Sequence, residues 1–306
     1  MTRWTTANVG DQRGRTVVIT GANTGIGFET ARVLAEHGAT VVLACRDEHK
    51  AERAAAAIGG SVVACRLDLA SLDSIRTAAQ RIRDQFPRVD LLIDNAGVMM
   101  TPAAVTADGF ELQFGTNHLG HFAFTGPLLE RMVDLPGSRV VVVSSSAHRQ
   151  GVIDMADLHF RQRKYRPIPA YAQSKLANLL YTLELNERLA TAGAETIAVA
   201  LEPGVTPTDL VRHVRGATRL ATLVITKLLG QPDAGAGARV VLRAATDPQA
   251  RGGDYYAPDG RPPLHARGYP IRIAPPATDG EIRRALWAES ERLTGVDYAA
   301  LRRPVR

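Results

Sequence analysis

Near the start of the chain a short apolar run, Thr16-Val17-Val18-Ile19-Thr20, passes directly into Gly21-Ala22-Asn23-Thr24-Gly25-Ile26-Gly27. A helical stretch beginning Phe28-Glu29-Thr30-Ala31 follows. Few folds place a strand, a glycine-rich turn and a helix in that order at the head of the chain. Glycines there permit a tight turn and the close approach of a pyrophosphate. The helix N-terminus supplies unpaired N–H groups and a favourable dipole. The spacing is GxxxGxG rather than the GxGxxG of the usual dinucleotide fingerprint, but its place in the first βα unit points to the same use.

The pattern then repeats. Apolar runs rich in Val, Ile and Leu at Thr16–Thr20, Thr40–Ala44, Ser61–Leu67, Val89–Ile93, Arg139–Val143 and Thr196–Leu201 read as strands. Stretches with helical spacing lie between them, among them Gly27–Glu36, Glu48–Ile58, Leu72–Phe86 and Ala172–Ala190. Alternating βα units make a parallel sheet, and strands that are apolar on both faces are those that helices cover on both sides. The expected fold class is α/β, a doubly wound (Rossmann) parallel sheet in three αβα layers.

No Pro/Gly-rich linker interrupts the series before Leu201, so residues 1–306 are expected to form one dinucleotide-binding domain. Residues 1–14 read as an N-terminal extension, about 205–230 as a lid-like insertion after strand six, and about 252–306 as C-terminal closure. The stretch Val205–Leu229, with Leu220, Leu223, Val224, Leu228 and Leu229, fits a core helix or a surface-seeking amphipathic helix. The preferred reading is a cover over a substrate pocket. A final short strand is expected within Gly252–Gly260, with Tyr255 or Tyr256 near the pocket, and a helix from after Thr278 through Leu293.

Hydrophobic residues at 45% and charged residues at 22% are ordinary globular usage, which excludes a disordered or membrane-embedded chain. Met1–Arg15 holds no apolar run long enough for a signal peptide or anchor, so the expected location is cytoplasmic, without a transmembrane segment; transient membrane contact stays open. The formal charge of +6 comes from dispersed arginines and a terminal Arg302-Arg303-Pro304-Val305-Arg306. No basic helix carries interleaved aromatics, so no nucleic-acid partner is expected, while a basic surface suits a phosphorylated cofactor. Cys45 and Cys65 lie in apolar runs and read as buried free thiols, so no metal site is expected.

Two further features carry chemistry. Ala44-Cys45-Arg46 closes the second strand with a cation where an acidic residue would take a ribose 2′-OH, which favours NADP(H) and leaves NAD(H) as the alternative; Asp47 follows immediately. Tyr171 and Lys175 lie four apart in the helical stretch Tyr171-Ala-Gln-Ser-Lys175 and share a face. A fixed ammonium beside a phenol favours the phenolate and turns a poor acid into a usable one. An isolated YxxxK is usually an exposed lysine beside a half-buried tyrosine, so the pair matters only beside a cofactor site.

The glycine turn, Asn95-Ala96-Gly97 after the fourth strand, Ser145 after the fifth and Tyr171/Lys175 on the next helix together resemble the short-chain dehydrogenase/reductase family over nearly the whole chain. TGANTGIG, ACRD, NHLGHF and YAQSKLAN are similar to its retinol-dehydrogenase-like and protochlorophyllide-reductase-like branch. The resemblance implies a catalytic set of Asn117, Ser145, Tyr171 and Lys175. Spacing alone leaves Ser144, Ser145 and Ser146 open, and the family pattern points to the middle one. It also implies cofactor contacts from Gly21, Asn23, Thr24, Gly25, Ile26, Gly27 and Arg46, from Asp68-Leu69 near the adenine and from Asn95-Ala96-Gly97 along the ribose. Tyr171, Lys175, Pro203-Gly204-Val205 and Thr208 would lie near the nicotinamide.

The function so implied is hydride transfer between nicotinamide and a carbonyl or alcohol carbon, with Tyr171 as general acid/base and an apolar aldehyde, ketone or alcohol as substrate. The competing reading is a non-catalytic NADP-binding regulatory or interaction protein with the same fold. The resemblance leaves monomer and homo-oligomer both open. The chain departs from the branch at Glu202, where relatives resemble His-Pro-Gly or Asn-Pro-Gly, which bears on pocket polarity. The long stretch between Ser145 and Tyr171 carries His159, Arg161, Arg163 and Lys164 and is expected beside the pocket mouth.

Overall fold

The computed structural model describes residues 4–204, 234–258, 269–270 and 279–302. Seven parallel strands and one antiparallel edge strand form a single sheet in the order β3-β2-β1-β4-β5-β6-β7-β8. These are β1 (Thr16–Thr20), β2 (Thr40–Cys45), β3 (Val62–Arg66), β4 (Leu91–Asp94), β5 (Arg139–Val143), β6 (Ile197–Leu201), β7 (Tyr255–Ala257) and β8 (Tyr269–Pro270). The order reverses between β1 and β4, which opens a crevice at the carboxyl edge where such sheets bind ligands.

Every residue of β1, β4 and β5 is buried, as two-sided coverage demands, whereas β3 at the sheet edge is mostly half-buried or exposed. Helices α1 (Gly25–Glu36) and α2 (Glu48–Ile58) cover one face. Helices α3 (Leu72–Gln85), α4 (Leu112–Phe114), α5 (Gly120–Leu128) and α6 (Pro167–Thr191) lie on the other. Helix α7 (Ala234–Thr246) joins the first layer, and α8 (Gly280–Thr294) packs outside α6.

The six expected strands are all present, β1 and β5 with the expected ends and the other four with ends shifted by one or two residues, and β7 falls in the expected Gly252–Gly260 stretch. Helix α6 begins at Pro167, five residues before the expected Ala172. Pro167 occupies the first turn, where a missing N–H costs nothing. Two helical regions were not anticipated. Helix α5 is buried on nearly every side and so lacks a polar stripe, and the Ala-Gly-Ala-Gly start of α7 has weak helix propensity. Strand β8 was not anticipated either. The expected lid at about 205–230 lies outside the described residues.

Candidate active site

The turn after β1 is built for close approach. Gly21 and Gly25 have φ of 67° and 61°, a region L side chains rarely enter. A Cβ on Gly27 would stand 2.6 Å from Asn95 Nδ2 and 2.9 Å from the Gly21 carbonyl oxygen, so backbone and side chain already fill that space. Thr24 precedes α1 in extended conformation and its side chain makes no capping bond, which leaves the first N–H groups of α1 uncapped by it. Thr20 ties this turn to the next loop: its hydroxyl oxygen accepts from the N–H groups of Asn95 and Ala96, both at 2.9 Å, and Asn95 Nδ2 donates back to the Thr20 carbonyl.

Arg46, at the exit of β2, is exposed and has no ion-pair partner among the described residues. Its neighbour Asp47 is otherwise engaged, accepting from the Lys50 N–H as the cap of α2 and pairing with Lys50 Nζ at 3.3 Å. Asp68 follows β3 half-buried and accepts from the Ala70 N–H. Leu69 is buried against α5, where a Cβ on Gly120 would meet its carbonyl oxygen at 2.5 Å.

Tyr171 and Lys175 share the inner face of α6, with the Lys175 ammonium 5.8 Å from the phenol ring centroid. Both are buried. Lys175 Nζ donates to the Val143 carbonyl at 2.9 Å, and burial pulls its pKa down to about 8. Burial pushes the Tyr171 phenol up, and a hydrogen bond with the Ser145 side chain opposes that shift.

The three consecutive serines separate in space. Ser144 is buried and its hydroxyl donates to the Lys175 carbonyl at 2.7 Å, while Ser146 is exposed. Ser145, half-buried, accepts from the Ala147 N–H at 3.3 Å and is the serine whose side chain pulls the Tyr171 phenol down. Asn117 lies in a π-helical turn, Gly115–Leu119, between α4 and α5. Its Nδ2 donates to the Val98 carbonyl and to Ser174 Oγ, both at 2.9 Å, and its Oδ1 accepts from the Val98 N–H. A Cβ on Gly97 would stand 3.1 Å from Asn117 Oδ1 and 3.6 Å from Lys175 Nζ, so both groups border the open side of that glycine.

Against known proteins, the short chain dehydrogenase family matches residues 15–218. Human retinol dehydrogenase 13 is 44% identical over 299 residues, 94% of this chain and 87% of that protein. Mouse polyprenol dehydrogenase is 40% identical over 294 residues, 93% of this chain and 85% of that one. The chain belongs to the short-chain dehydrogenase family. Among solved structures, an uncharacterized protein from Mycobacterium paratuberculosis superposes with a TM-score of 0.82 at 44% identity, covering 97% of this chain and 99% of that one. As a family member the chain is an oxidoreductase of the class that uses NAD(H) or NADP(H).

For such a cofactor the cradle fits: a turn with no room for a Cβ at Gly27, an uncapped helix start and a free cation at Arg46. Pro203 and Gly204 leave β6 at the same carboxyl edge, Gly204 with φ of 81°, whereas Val205 and Thr208 lie outside the described residues. Sequence reasoning missed His121. Its Nδ1 lies 2.9 Å from the Asn117 carbonyl, which can only accept, so that nitrogen carries the proton and Nε2 accepts from Thr20 Oγ at 2.9 Å. A buried histidine on an all-apolar helix gave no periodic signal. Among the described residues no helix is long and apolar enough to cross a membrane, and no three metal-ligating side chains cluster.

Proposed function

We propose that this chain prefers NADP(H) and transfers a hydride between nicotinamide and the carbonyl or alcohol carbon of an apolar aldehyde, ketone or alcohol. The observation that carries the reading is the buried Lys175 ammonium 5.8 Å from the Tyr171 ring centroid, with the Ser145 side chain pulling the same phenol down against the shift from burial. The bound nicotinamide supplies or takes the hydride. In the reducing direction the Tyr171 O–H gives its proton to the developing alkoxide and becomes phenolate, which the Lys175 charge favours. The Ser145 hydroxyl hydrogen-bonds the same oxygen.

Lys175 is also assigned to hold the cofactor ribose. Asn117, with its Oδ1 and the Lys175 ammonium facing Gly97, is assigned to place a water that links Lys175 to solvent. Arg46 is assigned to a 2′-phosphate, supported by the engagement of Asp47 as a helix cap. The glycine turn, Asp68-Leu69, Asn95-Ala96-Gly97 and Pro203-Gly204 are assigned the remaining cofactor contacts. Two relatives are named for retinol and polyprenol, both apolar alcohols, which supports the apolar class. The reading takes residues 1–306 as one cytoplasmic domain.

The test is oxidation of NADPH and NADH, followed by absorbance, against a panel of aldehydes, ketones and quinones, with Tyr171→Phe beside the unmodified chain. Turnover should fall about 10²–10⁴-fold in the variant with cofactor affinity kept. Full turnover in the variant would refute the role of Tyr171. Tight NADPH binding without turnover on any carbonyl would favour the non-catalytic alternative.

A further inference from the structure

Glu202 stands directly after β6 and before Pro203-Gly204, where its N–H extends the ladder to the Tyr256 carbonyl at 2.9 Å. It is only 9% exposed. A carboxylate so placed needs partners, and it has two: Oε2 accepts from the Tyr255 O–H at 2.9 Å, and Oε1 accepts from Arg149 Nη2 at 3.3 Å. The charge is therefore spent inside the protein rather than presented to a substrate.

Both partners lead back to one turn. Arg149 belongs to the short helical turn Ser146–Gln150 that follows Ser145. Tyr255 is buried, with its phenol oxygen 3.3 Å from His148 Nδ1 on the same turn, and the two rings meet edge to face with centroids 5.3 Å apart. His148 Nδ1 is 2.7 Å from the Ser145 carbonyl, which also accepts the His148 N–H at 3.0 Å. A carbonyl can only accept, so Nδ1 carries a proton directed at Ser145. Glu202, Tyr255, His148 and Ser145 form one chain of contacts, and Arg149 closes it into a ring.

We propose that Glu202 is a positioning residue for Ser145: its carboxylate braces, through Tyr255 and Arg149, the turn that presents the Ser145 hydroxyl to Tyr171. The brace spans three neighbouring strand ends, those of β5, β6 and β7, and so fixes the serine relative to the sheet rather than to its own loop. The proposal rests on the reading that Ser145 hydrogen-bonds the reacting oxygen.

The experiment is a double-mutant cycle on the full chain with Glu202→Ala, Ser145→Ala and the pair. Tyr255→Phe serves as a second probe that deletes one hydroxyl and keeps the ring. Readouts are kcat and KM for the best-turned-over panel aldehyde, the NADPH dissociation constant, and amide hydrogen exchange across residues 146–151. Each single brace variant should lower kcat about tenfold with NADPH affinity kept, and should cost less than about twofold once Ser145 is already alanine. Exchange across the turn should quicken in both brace variants.

Additive losses in the cycle, or unchanged exchange in both Glu202→Ala and Tyr255→Phe, would overturn the brace. If Ser145→Ala alone keeps full turnover, the functional reading of Ser145 fails instead, and the exchange data still decide whether the turn is braced.

Discussion

Lys175 Nζ donates to the carbonyl of Val143 at 2.9 Å, fastening the buried inner face of α6 to the last residue of β5. Among the described residues no carboxylate pairs with the ammonium, and burial lowers its pKa from 10.5 to about 8. The unfolded chain therefore keeps a proton that the folded chain releases between about pH 8 and 10.5. Below that window the buried charge costs the fold, and the cost disappears as pH rises through it. The chemical role proposed for Lys175 fits a group whose buried charge costs stability.

Lys175→Met should separate the two. Turnover is expected to fall about 10²-fold or more, while the melting temperature at pH 7 stays level or rises. The Val143 carbonyl keeps a donor in Asn178 Nδ2 at 3.2 Å, which limits the loss. Calorimetry beside steady-state kinetics checks both; a variant that melts several degrees earlier would contradict the assignment of cost to the buried charge.

Arg46→Ala tests the cofactor preference. Loss of a charge-assisted contact to a phosphate, typically about 1.5–3 kcal/mol, should raise the NADPH dissociation constant by about 10–100-fold. NADH, which has no 2′-phosphate, should bind the variant as it binds the unmodified chain. Equal weakening for both cofactors would show that Arg46 does not discriminate between them.

The sheet was legible because β1, β2, β4, β5 and β6 are buried on both faces and so appear as near-continuous apolar runs. The glycine turn was legible because its residue type is imposed locally, by φ at Gly21 and Gly25 and by the Gly21 carbonyl that crowds Gly27. The π-turn that holds Asn117 was not. It is set by contacts remote in sequence, such as Asn117 to Ser174 across 57 positions and His121 to Thr20 across 101. Which serine faces Tyr171 was open for the same reason: a Lys175 carbonyl on another element takes the Ser144 hydroxyl.

Gly27→Ala adds one methyl group where Asn95 Nδ2 and the Gly21 carbonyl already stand within 3 Å of its position. Neither neighbour is free to yield, because Asn95 Nδ2 is committed to the Thr20 carbonyl and Gly21 N–H to the Ala44 carbonyl at 2.8 Å. The turn must shift as a unit, so NADPH affinity should fall by at least about tenfold, with a stability loss of about 1–3 kcal/mol from overpacking. Fluorescence titration and urea unfolding measure the two; unchanged affinity would mean that the turn is not part of the cofactor cradle.

Asp94 ends β4 with no exposure, one carboxylate oxygen accepting from the Thr125 hydroxyl at 3.2 Å and the other without a partner. Burial pushes its pKa from 3.8 up to about 8, so the folded chain holds a proton that the unfolded chain releases in weak acid. The stability this group contributes is full below about pH 4 and drains as pH rises toward 8. His118 and His121 run the other way. Burial pulls them down to about 3 and about 4, so their contribution is present above pH 6.5 and lost as pH falls. The wild-type profile mixes the two trends, but the difference between the unmodified chain and Asp94→Asn cancels the histidines. That variant keeps the shape and cannot ionise. The excess of its melting temperature over that of the unmodified chain should be smallest below about pH 4, grow as pH rises, and reach several degrees at pH 8.5, since a residue that stays neutral avoids the cost of charging a buried carboxyl. A difference that is flat from pH 5 to 8.5 would show that Asp94 does not change its protonation on unfolding in this range.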